Sequence, residues 1–588
     1  MSTLRGNIGK LFFLASLALM LHQAVTLGGE SIISNRNQKE QKVGNSLYES
    51  LTNKGLRKST AENITAEWIR HYSEGANDEA YAITIDNKGN IYVTGTSYSS
   101  ETSYDYLTIK YNSEGVQKWA VRYNAKENLE DYARAIAVDN NGNVFVTGES
   151  YNPDYTSDWV TVKYDSSGGI LTSVKYNYGD LQDAPTALVV DSNGNVYVTG
   201  SCQNLNSGFD IVTIKYNQYL VKQWEKAYNN SQNLGDYASD IKVDNLGNVY
   251  VAGYSYRQFE EAGSIFDYSN YITLKYNSSG DLQWAVEASY WPYASYNYAK
   301  AMTLDCFGNV YVTGNAEAFH QNRFFTVRYD SSGNEKNIAE WAWSPCLDDR
   351  AINLVADEIG NLYVTGYSYD EFTNYNCITI RYDTNLTSLK TFIYNGPADG
   401  DDYPRGISVD KDGKIYVAGS SVGLNSDYDY FVVKYDSSGT KDWVVRYDSL
   451  NVNDYLEDLA IDTSGNIYVT GYSGSTNSAY TTIKYSQKEC TSIERQKQGS
   501  PNKFFLHQNY PNPFNALTTI KFSIPEKAYV TLKIYNLLGE EISELISGEL
   551  PAGNHSETWN AQSLPSGVYF YRLQAGKFSE TKKLILLK

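Results

Sequence analysis

Seven aspartates recur at one position of a repeating pattern, and their type and spacing suggest a site. They are Asp78, Asp131, Asp183, Asp236, Asp349, Asp402 and Asp454, and Asn297 takes the place of an eighth. Converging carboxylates can supply the oxygen ligands that calcium, the candidate cofactor, requires. They also repel one another unless cations or N–H donors offset the repulsion. Two functions stay open: a calcium-binding ring near one mouth of a channel, or caps and salt bridges between structural units.

A run of aromatic residues provides a second candidate site. Tyr290, Trp291 and Tyr293 precede one of the predicted innermost strands. Tyrosine offers rigid, amphipathic contact area at a small entropic cost. By strand order the run shares a face with the seven aspartates and with a second acidic set, Asp105, Asp158, Asp210 and Asp429. We predict that an extracellular glycan or protein ligand binds this face. The alternative is that the aromatics only pack loops, because the chain has 54 tyrosines.

The sequence contains few of the residue patterns that are typical of catalytic sites. It has no His-Glu-x-x-His motif, no phosphate-binding loop and only five histidines. Its five cysteines are odd in number and lack Cys-x-x-Cys spacing, which argues against a metal centre and a disulfide framework. We expect a binding or scaffold module rather than an enzyme. The alternative is an extracellular polysaccharide hydrolase or lyase built from scattered aspartates and tyrosines.

A repeat positions these residues. The pattern Asp-x-x-Gly-Asn-aliphatic-aromatic-Val-(Thr/Ala)-Gly, with Lys414 replacing Asn in the seventh copy, begins at Asp86, Asp139, Asp191, Asp244, Asp305, Asp357, Asp410 and Asp462. In each turn the Asp carboxylate can accept backbone N–H bonds and the Gly can adopt positive φ. The copies start 52 to 61 residues apart, a period that fits one four-stranded propeller blade.

The last copy predicts how the array closes. It ends after its third strand at Tyr485, whereas Glu67–Tyr72, before the first copy, looks like a fourth strand. Pairing of these two segments would leave no open sheet edge. The sequence therefore predicts an all-β chain, with an eight-bladed β-propeller of four-stranded blades over residues 65–486 and a shared-blade closure.

A basic residue followed by Tyr recurs in every predicted third strand. The positions are Lys110, Lys163, Lys215, Lys275, Arg328, Arg381, Lys434 and Lys484. A charge that persists in every blade needs a partner, since an unpaired buried charge is costly. We expect each group to pair with a carboxylate or a backbone carbonyl within or between blades.

The copies resemble a known repeat family. Their core, an Asp, a turn with Gly-Asn, then Val-Tyr-Val-Thr-Gly and a small hydroxyl residue, resembles the SBBP-type β-propeller repeat over about residues 66–486. Phe145 replaces Tyr in the second copy. The resemblance implies a β-propeller and carries no catalytic set.

A separate domain follows. Residues 487–502 are polar and read as a linker, and alternating segments such as Tyr529–Tyr535 predict a small β-sandwich over 503–588. Phe505–Asn515 and the closing Lys582–Lys588 resemble the type A sorting domain of the type IX secretion system. That resemblance implies the type IX machinery as partner, and release or attachment at the outer cell surface after the domain is removed. The alternative is an ordinary adhesive sandwich.

The N-terminus and the charge agree with export. Arg5, Lys10 and the apolar run Leu11–Leu21 predict a signal peptide over residues 1–28, with a membrane anchor as the alternative. Residues 29–64 are polar and read as a disordered leader. A net charge of -19 argues against nucleic acid as a partner. We expect a secreted or surface protein, reached through the periplasm, with no transmembrane segment in the mature chain.

Overall fold

Alternating residues on either side of each Asp-x-x-Gly turn form paired antiparallel strands in the computed structural model. The structure describes residues 64–73, 77–126, 128–261, 263–289, 295–318, 321–343, 348–424, 427–449, 452–474, 477–487, 503–509, 512, 514 and 516–586. Over these ranges the chain is all-β and contains no helix. It divides into two compact units, residues 1–487 and 488–588.

The described part of the first unit contains thirty-two strands. They are β1 (Ile64–Tyr72), β2 (Asp78–Ile85), β3 (Ile91–Ser99), β4 (Ser103–Tyr111), β5 (Gln117–Tyr123), β6 (Asp131–Val138), β7 (Val144–Tyr151), β8 (Ser157–Tyr164), β9 (Ile170–Tyr176), β10 (Asp183–Val190), β11 (Val196–Asn204), β12 (Gly208–Tyr216), β13 (Lys222–Tyr228), β14 (Asp236–Val243), β15 (Val249–Glu261), β16 (Ser264–Tyr276), β17 (Leu282–Ala288), β18 (Ser295–Leu304), β19 (Val310–Ala318), β20 (Gln321–Tyr329), β21 (Glu335–Trp341), β22 (Asp349–Ala356), β23 (Leu362–Asp370), β24 (Asn374–Tyr382), β25 (Ser388–Tyr394), β26 (Asp402–Val409), β27 (Ile415–Val422), β28 (Tyr428–Tyr435), β29 (Lys441–Tyr447), β30 (Asp454–Ile461), β31 (Ile467–Ser473) and β32 (Ala479–Gln487).

These strands form four-stranded antiparallel sets, which we number one to eight along the chain. Sets one to seven are continuous in sequence: β2–β5, β6–β9, β10–β13, β14–β17, β18–β21, β22–β25 and β26–β29. Set eight has the order β1-β32-β31-β30, so its outermost strand comes from before set one. One parallel pair, Ser269 with Tyr296, links sets four and five.

Each pair of successive sets encloses an apolar core. Tyr92 and Tyr106 of set one pack with Ala133 and Val146 of set two, for example. The same kind of core joins the last set to the first, where Tyr468 and Tyr480 of set eight pack with residues of set one such as Val93. Burial of these side chains holds neighbouring sets face to face.

The fourth set differs from its prediction. The sequence indicates a loop from Tyr254 to Tyr271 that is longer than its counterparts. The structure instead extends the two flanking strands, β15 and β16, which stay paired residue by residue from Tyr254 with Tyr271 to Glu261 with Ser264. Alternating tyrosine, phenylalanine and polar residues favour this hairpin, because such residues suit a pleated, half-buried surface.

The second unit is built from two sheets on one core. Its strands are β33 (Phe505–Leu506), β34 (Leu517–Ile524), β35 (Ala528–Tyr535), β36 (Glu541–Leu550), β37 (Gly553–Asn560), β38 (Gly567–Ala575) and β39 (Phe578–Leu586). The sheets have the orders β33-β34-β37 and β36-β35-β38-β39. Both contribute to one buried cluster, with Ile520 and Phe522 from the first and Leu532 and Leu573 from the second. This arrangement is a small sandwich.

Several predicted segments lie outside the described residues. They are the signal peptide, the leader up to residue 63 and the linker from residue 488 to 502. Among the residues that the structure describes, none belongs to a helix of the length and apolar character needed to cross a bilayer.

Candidate functional site

The connections at the two ends of each set differ, and this difference locates the candidate site. We call the end with the turns between first and second strands, and between third and fourth strands, the turn face. The opposite end, with the loops between second and third strands and the loops that precede each first strand, is the loop face. Antiparallel strands place the two kinds of connection at opposite ends.

The turn face repeats one hydrogen-bonded motif. In set one, Asp86 Oδ1 accepts from the backbone N–H groups of Lys88 (2.9 Å) and Asn90 (2.8 Å). Its Oδ2 accepts from Asn90 Nδ2 at 2.7 Å and from the Tyr92 hydroxyl at 3.0 Å. Gly89 has a φ of 75°, a conformation that favours glycine. The repeated Asp-x-x-Gly-Asn-x-Tyr motif therefore forms a turn whose N–H groups are capped by its own Asp carboxylate.

The repeated basic residues join neighbouring sets. Lys110 Nζ donates to the Ser166 carbonyl of set two at 2.9 Å, and Lys163 Nζ donates to the Gln218 carbonyl of set three at 2.6 Å. Lys484 of set eight donates to the Ser113 carbonyl of set one at 2.9 Å. Each ammonium also lies 5.0 to 5.7 Å from the centre of an aromatic ring of its own second strand. These bases are structural clamps between sets.

The seven predicted aspartates begin the first strands, and the carboxylates of six of them cap the preceding loops. All seven are at most 1% exposed. In six of them Oδ2 accepts a backbone N–H from five or six residues earlier, at 2.7 to 3.2 Å, as in Ala125 to Asp131 and Gly396 to Asp402. In the seventh, Asp78 Oδ1 accepts from the Ser97 hydroxyl. At the eighth position, Asn297 Nδ2 donates to the Ser269 carbonyl at 2.7 Å.

Burial raises the pKa values of five of these aspartates. It raises the pKa of Asp183, Asp349 and Asp402 to about 7 in each case, against the lowering effect of the loop N–H groups. Burial also raises the pKa values of Asp236 and Asp454. A buried carboxyl with few donors favours its neutral form. The geometry therefore gives six of these residues a capping role toward the loops that precede their strands.

The second acidic set also lies on the loop face, and most of its members are ion-paired. Asp105 pairs with Arg122 at 2.9 Å, Asp158 with Lys175 at 2.8 Å and Asp429 with Arg446 at 2.7 Å. Asp210 instead accepts from the Ser207 and Tyr178 hydroxyls. All four are buried.

Tyrosines connect successive sets along the loop face. Tyr104 stacks on Tyr132 with ring centres 5.5 Å apart. The corresponding pairs between later sets are Phe209 with Tyr237, Tyr375 with Tyr403 and Tyr428 with Tyr455, at 5.2 to 5.6 Å. Between sets four and five, Tyr254 of the second strand contacts Tyr298 at 5.1 Å. We call these ten residues the aromatic ladder. Two carboxylates anchor the hydroxyls: Asp348 accepts from Tyr375 at 3.0 Å, and Asp401 accepts from Tyr403 and Tyr428.

The structure describes some of the predicted site residues and not others. Tyr290, Trp291 and Tyr293 lie outside the described residues, so their role as ligand contacts stays a prediction. The seven aspartates lie on one face, and six of them bond the loop that precedes their strand. Among the described residues, the carboxylates gathered closely enough to share a metal ion are Asp427, Asp429 and Asp448.

Sequence reasoning missed some residues of this face. The sequence does not single out the residues of the aromatic ladder, because tyrosine recurs in every copy. The one available signal is a tyrosine that directly follows Asp131, Asp402 and Asp454. Sequence reasoning also missed the β-bulge in every first strand, which carries Tyr81, Arg134, Thr186, Ser239, Lys300, Ile352, Arg405 or Glu457. Bulges re-aim a side chain and are common beside binding sites.

Family comparisons identify both parts of the chain. The model of the beta-propeller repeat matches residues 67–101, 128–155, 394–425 and 443–477. The chain thus contains SBBP-type β-propeller repeats. The model of the secretion system C-terminal sorting domain matches residues 508–587, so the chain carries such a domain and its export route is type IX secretion.

Three solved structures are distantly similar to the chain. A protein of unknown function from Dyadobacter fermentans is 9% identical, with 53% of this chain and 97% of that chain covered, at a TM-score of 0.34. A eukaryotic initiation factor is 10% identical (84% and 93% covered, TM-score 0.36), and a gluconolactonase from Xanthomonas campestris is 12% identical (52% and 97% covered, TM-score 0.26). At such scores none of these likenesses supports an inference about function. No curated protein sequence matches the chain.

Proposed function

We propose that this protein is an eight-bladed propeller, closed by a shared blade, that works outside the cell as a binding module. Its loop face, around the aromatic ladder, takes an extracellular glycan or protein ligand. Export by the type IX route places the protein where such a ligand would be met. After removal of the sorting domain, the propeller is released or attached to the outer surface.

Contacts between sets eight and one support the closed ring. In sets one and two, Lys110 and Trp119 both donate to the Ser166 carbonyl. In sets eight and one, Lys484 and Trp68 of β1 both donate to the Ser113 carbonyl, at 2.9 and 3.1 Å. Set eight thus contacts set one as set one contacts set two. A closed ring removes the exposed edges that invite aggregation.

The observation that carries the binding role is the contrast between the two faces. On the turn face, the Asp carboxylates and the backbone amides form hydrogen bonds with one another in one repeated motif. On the loop face the connections differ from set to set, from the five-residue Ser99–Ser103 turn to the long β15–β16 hairpin. In repeat proteins, such variation collects on the face that binds a partner. Tyrosine and carboxylate groups there suit polar, amphipathic ligands.

Hydrolysis remains the competing class of function, and one motif bears on it. Gly419, Ser421 and Gly423 have the Gly-x-Ser-x-Gly spacing of a nucleophile elbow. That elbow requires a sharp turn from a strand into a helix. Ser421 instead lies within β27, paired with Asp402 of β26 and Asp429 of β28, and it is fully buried. We therefore propose binding without catalysis.

A binding screen tests the proposal. The purified full-length chain is applied to arrays of extracellular glycans and to surface proteins, and any ligand is then measured against the double variant Trp291→Ala/Tyr293→Ala. We expect at least tenfold weaker binding with unchanged melting temperature. The matched control is Leu246→Ala on the turn face, where an exposed apolar side chain should not affect affinity.

Two outcomes would contradict this function. Equal affinity of the wild type and of both variants would place the site elsewhere. Release of new reducing ends from a polysaccharide, with no stable complex, would favour the hydrolase or lyase.

A further inference from the structure

Three carboxylates of set seven lie together on the loop face. One oxygen each from Asp427, Asp429 and Asp448 lies within 4.8 Å of the other two. Asp427 and Asp429 flank the first residue of β28, and Asp448 directly follows β29, the strand paired with β28. Two adjacent strands thus hold the three side chains side by side.

The spacing suits a calcium ion. Calcium binds oxygen at about 2.3 to 2.6 Å, so two ligands on opposite sides of the ion are about 5 Å apart. The three oxygens of the cluster fall within that limit. Carboxylates are the oxygen ligands that this hard cation prefers.

Two buried oxygens of the cluster have no hydrogen-bond partner among the described residues. Asp429 is 6% exposed, and its Oδ2 accepts from Arg446 while its Oδ1 has no donor. Asp427 Oδ2 is likewise buried without a donor. Asp427 and Asp448 place two further carboxylates beside the Asp429–Arg446 ion pair. A buried acceptor with neither donor nor cation is costly.

Set one provides an internal comparison. Asp105 and Arg122 form the same pair as Asp429 and Arg446. The positions of Asp427 and Asp448, however, are taken in set one by Ser103 and Asn124. In sets two and three, the equivalent Asp158 and Asp210 also have an Oδ1 without a donor. The buried acceptor therefore belongs to the repeat, and the added carboxylates distinguish set seven.

We propose that Asp427, Asp429 and Asp448 bind one calcium ion, which links the start of β28 to the end of β29 on the loop face. The site is distinct from the seven aspartates that cap the loops, and it does not depend on the ligand of the loop face. Extracellular modules bind calcium with dissociation constants of about 10⁻⁴ to 10⁻³ M.

Terbium luminescence tests the proposal, because terbium replaces calcium and is sensitised by nearby tyrosines such as Tyr428 and Tyr447. The full-length chain, stripped with chelator, is titrated with terbium and then with competing calcium. Asp427→Asn/Asp448→Asn removes two ligands and leaves the buried Asp429–Arg446 pair intact. The matched control is Asp105→Asn in set one.

We expect one calcium-displaceable terbium ion in the wild type and in Asp105→Asn, with at least tenfold weaker calcium binding in the double variant. Calcium should also raise the melting temperature of the first two proteins only. Equal calcium affinity in all three, or no calcium binding up to about 10 mM, a tenfold excess over the weak end of that range, would overturn the proposal.

Discussion

Aspartates at two positions of the repeat show how the number of donors sets the behaviour of one residue type. Burial alone would raise the pKa of Asp86, yet hydrogen bonds from Asn90, Tyr92 and Lys88 bring that pKa below its usual value. At Asp402 burial prevails over the Ser421 and Gly396 bonds, and its pKa rises to about 7. The turn carboxylate is thus charged at neutral pH, whereas the loop cap titrates there.

The stability of the protein should therefore depend on the protonation of the loop caps. An unfolded aspartate titrates near pH 3.9, whereas Asp402 holds its proton to about pH 7. Between these values the folded state binds more protons, so stability from this group is complete below pH 4 and falls as pH rises through 7. We predict that Asp402→Asn flattens the decline in the free energy of unfolding between pH 5 and 7 by about 1.4 kcal/mol per pH unit.

Denaturant unfolding at several pH values measures this effect. Asn at the eighth position, Asn297, is a precedent for the amide at such a site. The control is Asp86→Asn, which removes a turn carboxylate that is already charged at pH 5 and should leave the slope as it is. Identical pH slopes for wild type and Asp402→Asn would contradict the assignment.

At the scale of elements, β1 is the strand that completes set eight, and it has no pairing partner nearby in the sequence. It pairs with β32, as in Ile69 with Ile483, so its partner lies more than four hundred residues away in the chain. Trp68 of β1 packs against the turn of set one, where a Cβ on Gly115 would lie 2.6 Å from its ring. Gly115 has a φ of 74°, so both conformation and space require glycine.

The energetic weight of β1 can be measured through Trp68. Trp68 and Trp443 are equivalent fourth-strand residues, 6% and 8% exposed, in sets eight and seven. We predict that Trp68→Ala lowers the free energy of unfolding by about 3 to 5 kcal/mol, as a buried tryptophan should. Trp443→Ala, the matched control, should cost a similar amount. If Trp68→Ala leaves the free energy of unfolding unchanged while Trp443→Ala lowers it, β1 does not complete set eight.

The strands differ in how well the sequence predicts them. The strands around each turn have regular apolar residues and glycine signals, and the structure contains them at the expected places. In the sorting domain β36 was missed because polar residues occupy both its faces, as the run Glu541–Leu550 shows. The sequence predicts a loop at the β15–β16 hairpin, because the length of this segment departs from the repeat.

At the scale of the molecule, sequence predicts the repeated parts and fails on the unique ones. The clamp from Lys484 to Ser113 follows from a rule that every copy obeys. The cluster of Asp427, Asp429 and Asp448 depends on two positions where set seven differs from its relatives, and on a distance that spacing cannot give. The aromatic ladder likewise depends on contacts between sets, which the repeat pattern alone does not predict. The proposed calcium site and the proposed ligand-binding face both lie in these departures from the repeat.

Closure of the ring through β1 is the central claim, and one disulfide tests it most directly. His71 and Thr481 are opposite residues of β1 and β32, and His71 Nδ1 lies 3.1 Å from the Thr481 hydroxyl. In His71→Cys/Thr481→Cys, mild oxidation followed by peptide mass spectrometry should link the peptides that carry positions 71 and 481, in a monomer that melts at a higher temperature. Free thiols at both positions after oxidation of the folded protein would contradict the closed ring.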